Sequence, residues 1–370
     1  MRVESLGKFS IQVLALPRFS DSLGLSFGAK IDTILSQMKC LPLAEVSALQ
    51  PFVAYLAANG GDVLRYSDRA GIPRGMMETL EGRVTKVQAT NFLEFSREIE
   101  GVPDLGFRVG ESFGPDQMGA LGCAMRGSAT LGEALDILAV HLKDWWGGTR
   151  AWVDRCGDRA WLRVIGNDKL GLPRDVANQN GIFILIHIIQ LAAGDGWIPA
   201  RIRIPKTQGN LHEQHRATGQ SEPVFDSEEI AVEFPASLLA EPLLEAPTAS
   251  NASDIQQHPL DAIEALSEVL QDQVLHGHVP GFATAADIAA TSKRTLQRRL
   301  ADEGLTYRRL LDRIRFSVAR ERLIEDLSAP VKEVARVAGF SNSGNFIRSF
   351  RRMTGMTPGE YRLRSQIDRQ

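Results

Sequence analysis

Two short stretches late in this 370-residue chain carry side chains suited to reading the edges of DNA bases. In the first, Arg294, Gln297 and Arg298 stand at i, i+3 and i+4, which puts them on one face of a helix. In the second, Asn345, Arg348 and Arg352 stand at i, i+3 and i+7 and again share a face. An arginine can hold the O6/N7 pair of guanine with two hydrogen bonds, and Asn or Gln the N6/N7 pair of adenine; each such pair discriminates by roughly 1–3 kcal/mol. Arg299 and Arg351 lie off these faces. With Arg352 at the far end of the second face, and the hydroxyls of Ser292 and Ser341 at the helix starts, they are placed for phosphates, which position a protein without specifying sequence. Other chemistry is poorly supplied. Cys40, Cys123 and Cys156 lie far apart without a CxxC pair, so neither a disulfide nor a metal site is expected, and no cofactor. Gly106–Gly114 (GFRVGESFG) follows no strand pattern and lacks the order of a phosphate loop. No Ser-His-Asp or Cys-His signature appears, so no catalytic residues are assigned and the chain is not expected to be an enzyme.

The elements that must hold these faces are legible as helices. Leu296 and Leu300 fall opposite the first reading face, and Phe346, Phe350 and Met353 make a buried stripe behind the second. The two stretches belong to a degenerate repeat, TAADIAATSKRTLQRRLADEGLT from Thr284 and VARVAGFSNSGNFIRSFRRMTGMT from Val334. Ala286 matches Ala335, the turn residue Ala290 matches Gly339, and the cap Ser292 matches Ser341. Each copy reads as helix, tight turn, N-cap, helix. Between them, Tyr307–Ile324 reads as one helix of about 27 Å, comparable to one turn of B-DNA at roughly 34 Å. A further helix is expected over Asp261–Leu275 with Asp261 as its cap. From Gly281 onward there are 18 basic and 10 acidic residues, against 24 and 35 before it, a basic module on an acidic body.

The residues SKRTLQRRLADEGLTYRRLLDRIR (292–315) and VARVAGFSNSGNFIRSFRRMTGMTPGEYR (334–362) resemble the DNA-binding domain of the AraC/XylS family, the closing TGMTPGEYR most specifically. The resemblance covers the last hundred residues. It implies two helix-turn-helix units on a shared linking helix, binding promoter DNA and usually activating transcription through RNA polymerase. By position in the family pattern, Arg294, Gln297 and Arg298 read bases in the first unit, and Gly344, Asn345 and Arg348 fill the corresponding slots of the second. Two departures are visible. Ala290 stands where many relatives carry glycine, which is expected to shift the turn, and Gly344 offers no side chain, so the second unit is expected to read fewer bases.

The rest of the chain, at 44% hydrophobic and 24% charged overall, has the composition of a globular protein and not of a disordered one. Glu245–Pro259 reads as a linker. Before it, Leu43–Ala58, Ala89–Glu98 and Leu131–Trp146 look helical, and Arg150–Ile165 alternates around Cys-Gly-Asp as a hairpin. Arg201–Pro205 and Ile230–Phe234 look like strands, with a helix over Asn178–Ala193 crossing the sheet. The expected fold is therefore an α+β N-terminal domain followed by an all-α C-terminal domain with two helix-turn-helix units joined by a long helix. The expected boundaries are 43–244 for an α+β effector-binding or dimerisation domain, 245–259 for the linker and 260–364 for the DNA-binding domain. Residues 1–42 fit no element; they are a preamble, or the product of an early start with Met38 as the true one. The apolar run Gly181–Ala193 is too short to span a bilayer, and no secretion signal is evident, so a cytoplasmic protein without a membrane partner is expected.

Residues from about Val46 to Pro242 resemble, more loosely, the so-called arabinose-binding-type N-terminal domain of the AraC-type branch that includes ornithine-utilisation regulators. The supporting phrases are LGFRVGES (105–112), GALGCAMRGSATLGEALDIL (119–138) and PVFDSEEIAVEFPASLLAEPL (223–243). The resemblance implies a small-molecule effector or dimerisation, with a homodimer as the expected state. Trp145, Trp146, Trp152, Trp161 and His187 are the expected lining of an effector pocket. The same tryptophans also suit ordinary packing, and His187 a satisfied core histidine.

Overall fold

The computed structural model describes residues 41–166, 173–205, 211–215, 217–225, 229–244 and 261–367. The linker expected over 245–259 and nearly all of the preamble expected over 1–42 fall outside them. An α+β part comes first and an all-helical part second.

The apolar spacing over Leu43–Ala58 predicts one helix, and the structure divides it. Leu43–Glu45 is a strand (β1), Val46–Leu49 a 3-10 turn, and only Gln50–Ala58 an α-helix (α1). Leu43 and Ala44 are buried where β1 pairs antiparallel with Arg83–Thr85 (β2), a contact between distant residues that helical periodicity does not reveal. Pro51 falls in the first turn of α1, where its missing N–H is no loss. Two short helices, α2 (Val63–Ala70) and α3 (Arg74–Thr79), lie between the strands. The helix α4 (Lys86–Glu100) opens with a capping box, in which Thr85 Oγ1 accepts from Gln88 N–H and Gln88 Oε1 accepts from Thr85 N–H.

After α5 (Leu105–Gly110), α6 (Gly119–Arg126) and α7 (Leu131–Trp145), the chain makes the expected hairpin, β3 (Thr149–Cys156) and β4 (Arg159–Gly166). Then come α8 (Asp175–Ala193), β5 (Arg201–Arg203), β6 (Glu222–Val224) and β7 (Ile230–Pro235). The sheet order is β3-β4-β7-β5-β6, antiparallel except for the parallel pair β5–β6. Alternation puts Ala160, Leu162 and Val164 of β4 with Ile230, Val232 and Phe234 of β7 on the face covered by α7 and α8. Burying each large apolar side chain there stabilises the domain by roughly 1.5–3 kcal/mol.

Helix α8 begins three residues earlier than expected and has 19 residues, long and apolar enough by length and composition to cross a membrane. More than half of its apolar stretch is buried, packed on β7, α4 and α5. A Cβ at Gly106 would lie 2.1 Å from Val176 O, and one at Gly110 2.8 Å from Phe183 Cβ. The glycines of GFRVG thus let α5 touch α8.

The C-terminal part starts at α9 (Ala262–Leu275), where Asp261 Oδ1 accepts from the N–H groups of Ile263 and Glu264. Then follow α10 (Phe282–Ile288), α11 (Lys293–Asp302), α12 (Tyr307–Glu325), α13 (Val331–Val337), α14 (Ser343–Thr354) and α15 (Pro358–Ile367). They share one core, to which Leu41 and Leu43 from the start of the α+β part are added. Beside this apolar contact the joint between the parts carries a polar cluster. Arg83 of β2 bridges Glu45 at 3.2 Å and Glu268 of α9 at 2.5 Å, and its N–H donates to Asp272 Oδ2 at 2.6 Å.

Candidate nucleic-acid interface

Helices α10 and α11 form one helix-turn-helix and α13 and α14 the other. Both turns close the same way. Thr291 N–H donates to Ala286 O and Ala290 N–H to Asp287 O, each at 2.9 Å. Phe340 N–H donates to Ala335 O at 2.9 Å and Gly339 N–H to Arg336 O at 3.0 Å. This closure requires a left-handed residue at the turn. Gly339 supplies it with φ +74°, and Ala290 adopts φ +46°. The alanine therefore leaves the turn in place rather than shifting it, at a strain of about 1–2 kcal/mol.

The caps differ from the sequence reading in one unit. Ser292 Oγ accepts from Thr295 N–H at 3.1 Å, as expected. In the second unit the cap is Asn342, whose Oδ1 accepts from Gly344 N–H at 2.7 Å and Asn345 N–H at 3.2 Å; Ser341 is exposed and caps nothing. One extra residue between Gly339 and α14 accounts for the difference and moves the cap one place along.

On α11, Arg294, Gln297 and Arg298 are all exposed, while Leu296 and Leu300 are buried behind them. On α14, Asn345 and Arg348 are exposed and joined, with Arg348 Nη2 donating to Asn345 Oδ1 at 2.5 Å. Phe346 and Phe350 are buried as expected, but Met353 is 40% exposed. Tyr361 of α15, packed edge-on against Phe350, covers the core at that end instead. Arg352 does not continue the reading face freely: its Nη2 lies 3.5 Å from Asp312 Oδ2 of α12. Arg299 is half-buried and Arg351 exposed. The sequence reading missed Ile347, an isoleucine 36% exposed on α14. It occupies the slot fifty residues after Gln297, the same offset that relates Leu296 to Phe346, so the repeat itself carried the signal.

Both units are clamped to α12. At its start, Tyr307 packs against Phe282 and its hydroxyl donates to Pro280 O at 2.6 Å. Further along, Phe316 packs on Phe350, and the Arg315 guanidinium lies 5.0 Å over the Phe340 ring. The motif TGMTPGEYR closes the second unit. Gly355 ends α14 with φ +77°, Thr357 and Glu360 cap α15 reciprocally, and Arg362 donates to Ala329 O at 2.6 Å.

In the α+β part the five residues expected to line one pocket are dispersed. Trp145 and Trp146 line a partly open, mainly apolar cavity between α4, α7, α8 and β4. Trp152 and Trp161 point to the opposite face of the sheet, where the Arg201 and Arg203 guanidinium groups lie 5.7 and 5.1 Å over the Trp161 ring. They follow the other parity from Ala151 and Leu162, so strand alternation separates them from the helices. His187 lines a separate open cleft with Glu111, Asp116 and Arg126. Its Nδ1 lies 2.6 Å from Phe113 O, and burial lowers its pKa, the behaviour of a satisfied core histidine.

Paired helix-turn-helix units on one linking helix, with basic faces turned to solvent, define a DNA-binding transcription regulator. Residues 285–364 match the model of a helix-turn-helix domain, and residues 60–243 that of the N-terminal arabinose-binding domain of AraC transcription regulators. The ornithine utilization regulator of Pseudomonas aeruginosa is 25% identical over 329 residues, 87% of this chain and 96% of that one. The transcriptional activator NphR of Rhodococcus sp is 34% identical over 140 residues, 37% of this chain and 40% of that one. The crystal structure of the transcriptional regulator CdpR from Pseudomonas aeruginosa aligns over 86% of this chain and 98% of that one, at 22% identity and a TM-score of 0.38. The chain belongs to the AraC family of transcription regulators, in the branch that carries the arabinose-binding-type N-terminal domain.

Proposed function

We propose that this regulator reads promoter DNA with α11 and α14 in successive major grooves, under the control of a small molecule held by the N-terminal domain, and activates transcription through contact with RNA polymerase. One observation carries the reading. Two capped helices turn Arg294, Gln297 and Arg298, and Asn345, Ile347 and Arg348, to solvent while their buried sides are fixed to one linking helix. Arginines take guanine, Gln297 and Asn345 take adenine, and Ile347 meets the methyl group of thymine. Ser292, Arg299, Ser341 and Arg351 serve the backbone, with Arg352 reaching a phosphate from its pairing with Asp312. The 19 residues of α12 span about 28 Å, which suits two heads roughly one helical turn apart. The functional units are 43–244 for effector binding and dimerisation and 260–364 for DNA binding, joined through 245–259, and the acting species is a homodimer.

The test is a duplex-binding titration against salt, with footprinting of the bound strand. A steep fall in affinity, with a slope near −0.9 per phosphate contacted, is expected. Protection should fall in two patches about one turn apart. A flat salt response, or a single protected patch, contradicts the two-groove reading.

A further inference from the structure

We propose that β3 is the self-association edge of the protein, pairing antiparallel with β3 of a second copy about a two-fold axis at Trp152. This rests on the homodimer reading and names the surface that joins the two chains.

The two edges of the five-stranded sheet are unlike. β6 has three residues with Pro223 at its centre, a short edge that offers little to another strand. β3 has eight residues, no proline, and an unbroken register with β4 from Thr149 opposite Gly166 to Cys156 opposite Arg159, so no bulge turns it aside. Which of its backbone groups face outward follows from β7. Pro235 has no N–H and stands opposite Arg159, so that pair is not hydrogen-bonded, and the N–H and C=O of Arg159 turn to Cys156 instead. The two-residue turn between them, with Gly157 at φ +64°, closes on such a bonded pair. Alternation then directs the backbone groups of Trp152 and Asp154 toward β4, and those of Ala151, Val153 and Arg155 out of the edge.

Charges on an edge strand commonly keep copies apart; here they match. Arg150 and Asp154 flank Trp152 at equal spacing and with opposite sign, all three on the outer face of the sheet. Arg150 is exposed, and the side chains of Asp154 and Trp152 reach solvent too, Trp152 at 36%. An axis at Trp152 sets Arg150 of each copy opposite Asp154 of the other. The two Trp152 residues then face each other in a pair without hydrogen bonds, where Cα atoms lie about 4.5 Å apart and side chains touch. Asp154, already 3.0 Å from Arg163, comes to lie between two arginines. Ala151 of each copy meets Val153 of the other and exchanges two backbone hydrogen bonds with it, four in all. Their side chains lie on the inner face, where both already join the core under the sheet. An axis at Val153 would make backbone bonds as well, but it sets Trp152 against Asp154 and Arg150 against Cys156. Only the axis at Trp152 satisfies the charges, and it joins two five-stranded sheets into one.

The experiment is analytical ultracentrifugation of the full chain from about 1 to 100 μM, followed by cysteine cross-linking. The mass should double across that range. Arg150→Asp sets like charges opposite each other twice in the dimer and should raise the dissociation constant about tenfold. Asp154→Arg should do the same, and the double variant Arg150→Asp/Asp154→Arg should return to within about threefold of the parent, because the pairs are reversed and not lost. Cross-linking keeps the question open to refutation if a charge variant does not fold. In a chain carrying Cys40→Ser, Cys123→Ser and Cys156→Ser, Trp152→Cys should oxidise to a disulfide-linked dimer, since the facing Cα atoms lie within disulfide reach. Val153→Cys in the same background should not, because its own copy lies diagonally, at about 7–8 Å or more. A monomer at every concentration overturns this pairing and the homodimer reading together. A dimer that Arg150→Asp does not weaken, that folded charge-reversed double variants do not restore, or that Val153→Cys cross-links in place of Trp152→Cys, overturns the pairing and leaves the homodimer reading standing.

Discussion

Gly339→Ala perturbs the second helix-turn-helix unit at its turn without changing any residue proposed to face DNA. The alanine is forced into a left-handed conformation at φ +74°, which costs about 1–2 kcal/mol. Its Cβ would also lie 2.5 Å from Val279 Cγ2, a contact that neighbouring groups must move to relieve, at about 1–3 kcal/mol. The smaller entropy of the unfolded alanine chain returns about 0.4–1 kcal/mol. The net destabilisation is about 2–3 kcal/mol, or roughly 10 °C in the Tm of a unit of this size. Unfolding should be followed by far-ultraviolet circular dichroism, because all five tryptophans precede residue 200 and report on the other part. The reciprocal change, Ala290→Gly, removes strain of the first kind and should stabilise the chain by about 0.5–1 kcal/mol. A Gly339→Ala loss below about 0.5 kcal/mol, or an Ala290→Gly variant that is clearly less stable than its parent, refutes the argument that both turns demand a left-handed residue.

Burial pushes the Asp272 carboxyl from its ordinary 3.8 up to about 6, against the pull of Arg83 and His276. The folded chain thus keeps a proton that the unfolded chain has released, so the contribution of this group to stability is greatest below about pH 4 and is lost as pH rises through 6. Asp272→Asn, whose side-chain oxygen still accepts from Arg83 N–H, should flatten that decline and gain about 1–2 kcal/mol at pH 7 in urea unfolding; an unchanged pH profile contradicts the assignment. Asn342→Ala should cost about 1 kcal/mol of stability and Ser341→Ala almost nothing, the reverse of what the serine alignment predicts. Ile347→Asn should weaken the preference for thymine at one position of the second half-site and leave the first half-site unchanged, as read by competition with single-base variants.

The helical half was legible because its signals are local. Leu296, Leu300, Phe346 and Phe350 sit at helical spacing behind polar faces, and Asp261, Ser292 and the TGMTPGEYR closure are contained within a few residues of what they cap. The local errors have local causes. Ser341 and Asn342 can both cap, and only the extra residue after Gly339 decides between them. Met353 fits the stripe by spacing but gives way to Tyr361, which arrives from the next helix. In the α+β half the decisive contacts are distant. The pairing of Leu43–Glu45 with Arg83–Thr85 turned an apparent helix into a strand. The dispersal of the tryptophans was partly readable, since Trp152 and Trp161 alternate with Ala151 and Leu162. The cavity beside Trp145 was not, because Lys86, Arg174 and Asn180 meet there only through folding.

The most direct test of the account is selection of duplex DNA by the full-length protein at physiological salt, repeated with Arg298→Ala and Arg348→Ala. The account predicts an enriched motif in two halves about one helical turn apart. Arg298→Ala should erode one half and Arg348→Ala the other, each by roughly 1–3 kcal/mol at a single base pair. An enriched motif left intact by both variants would contradict it.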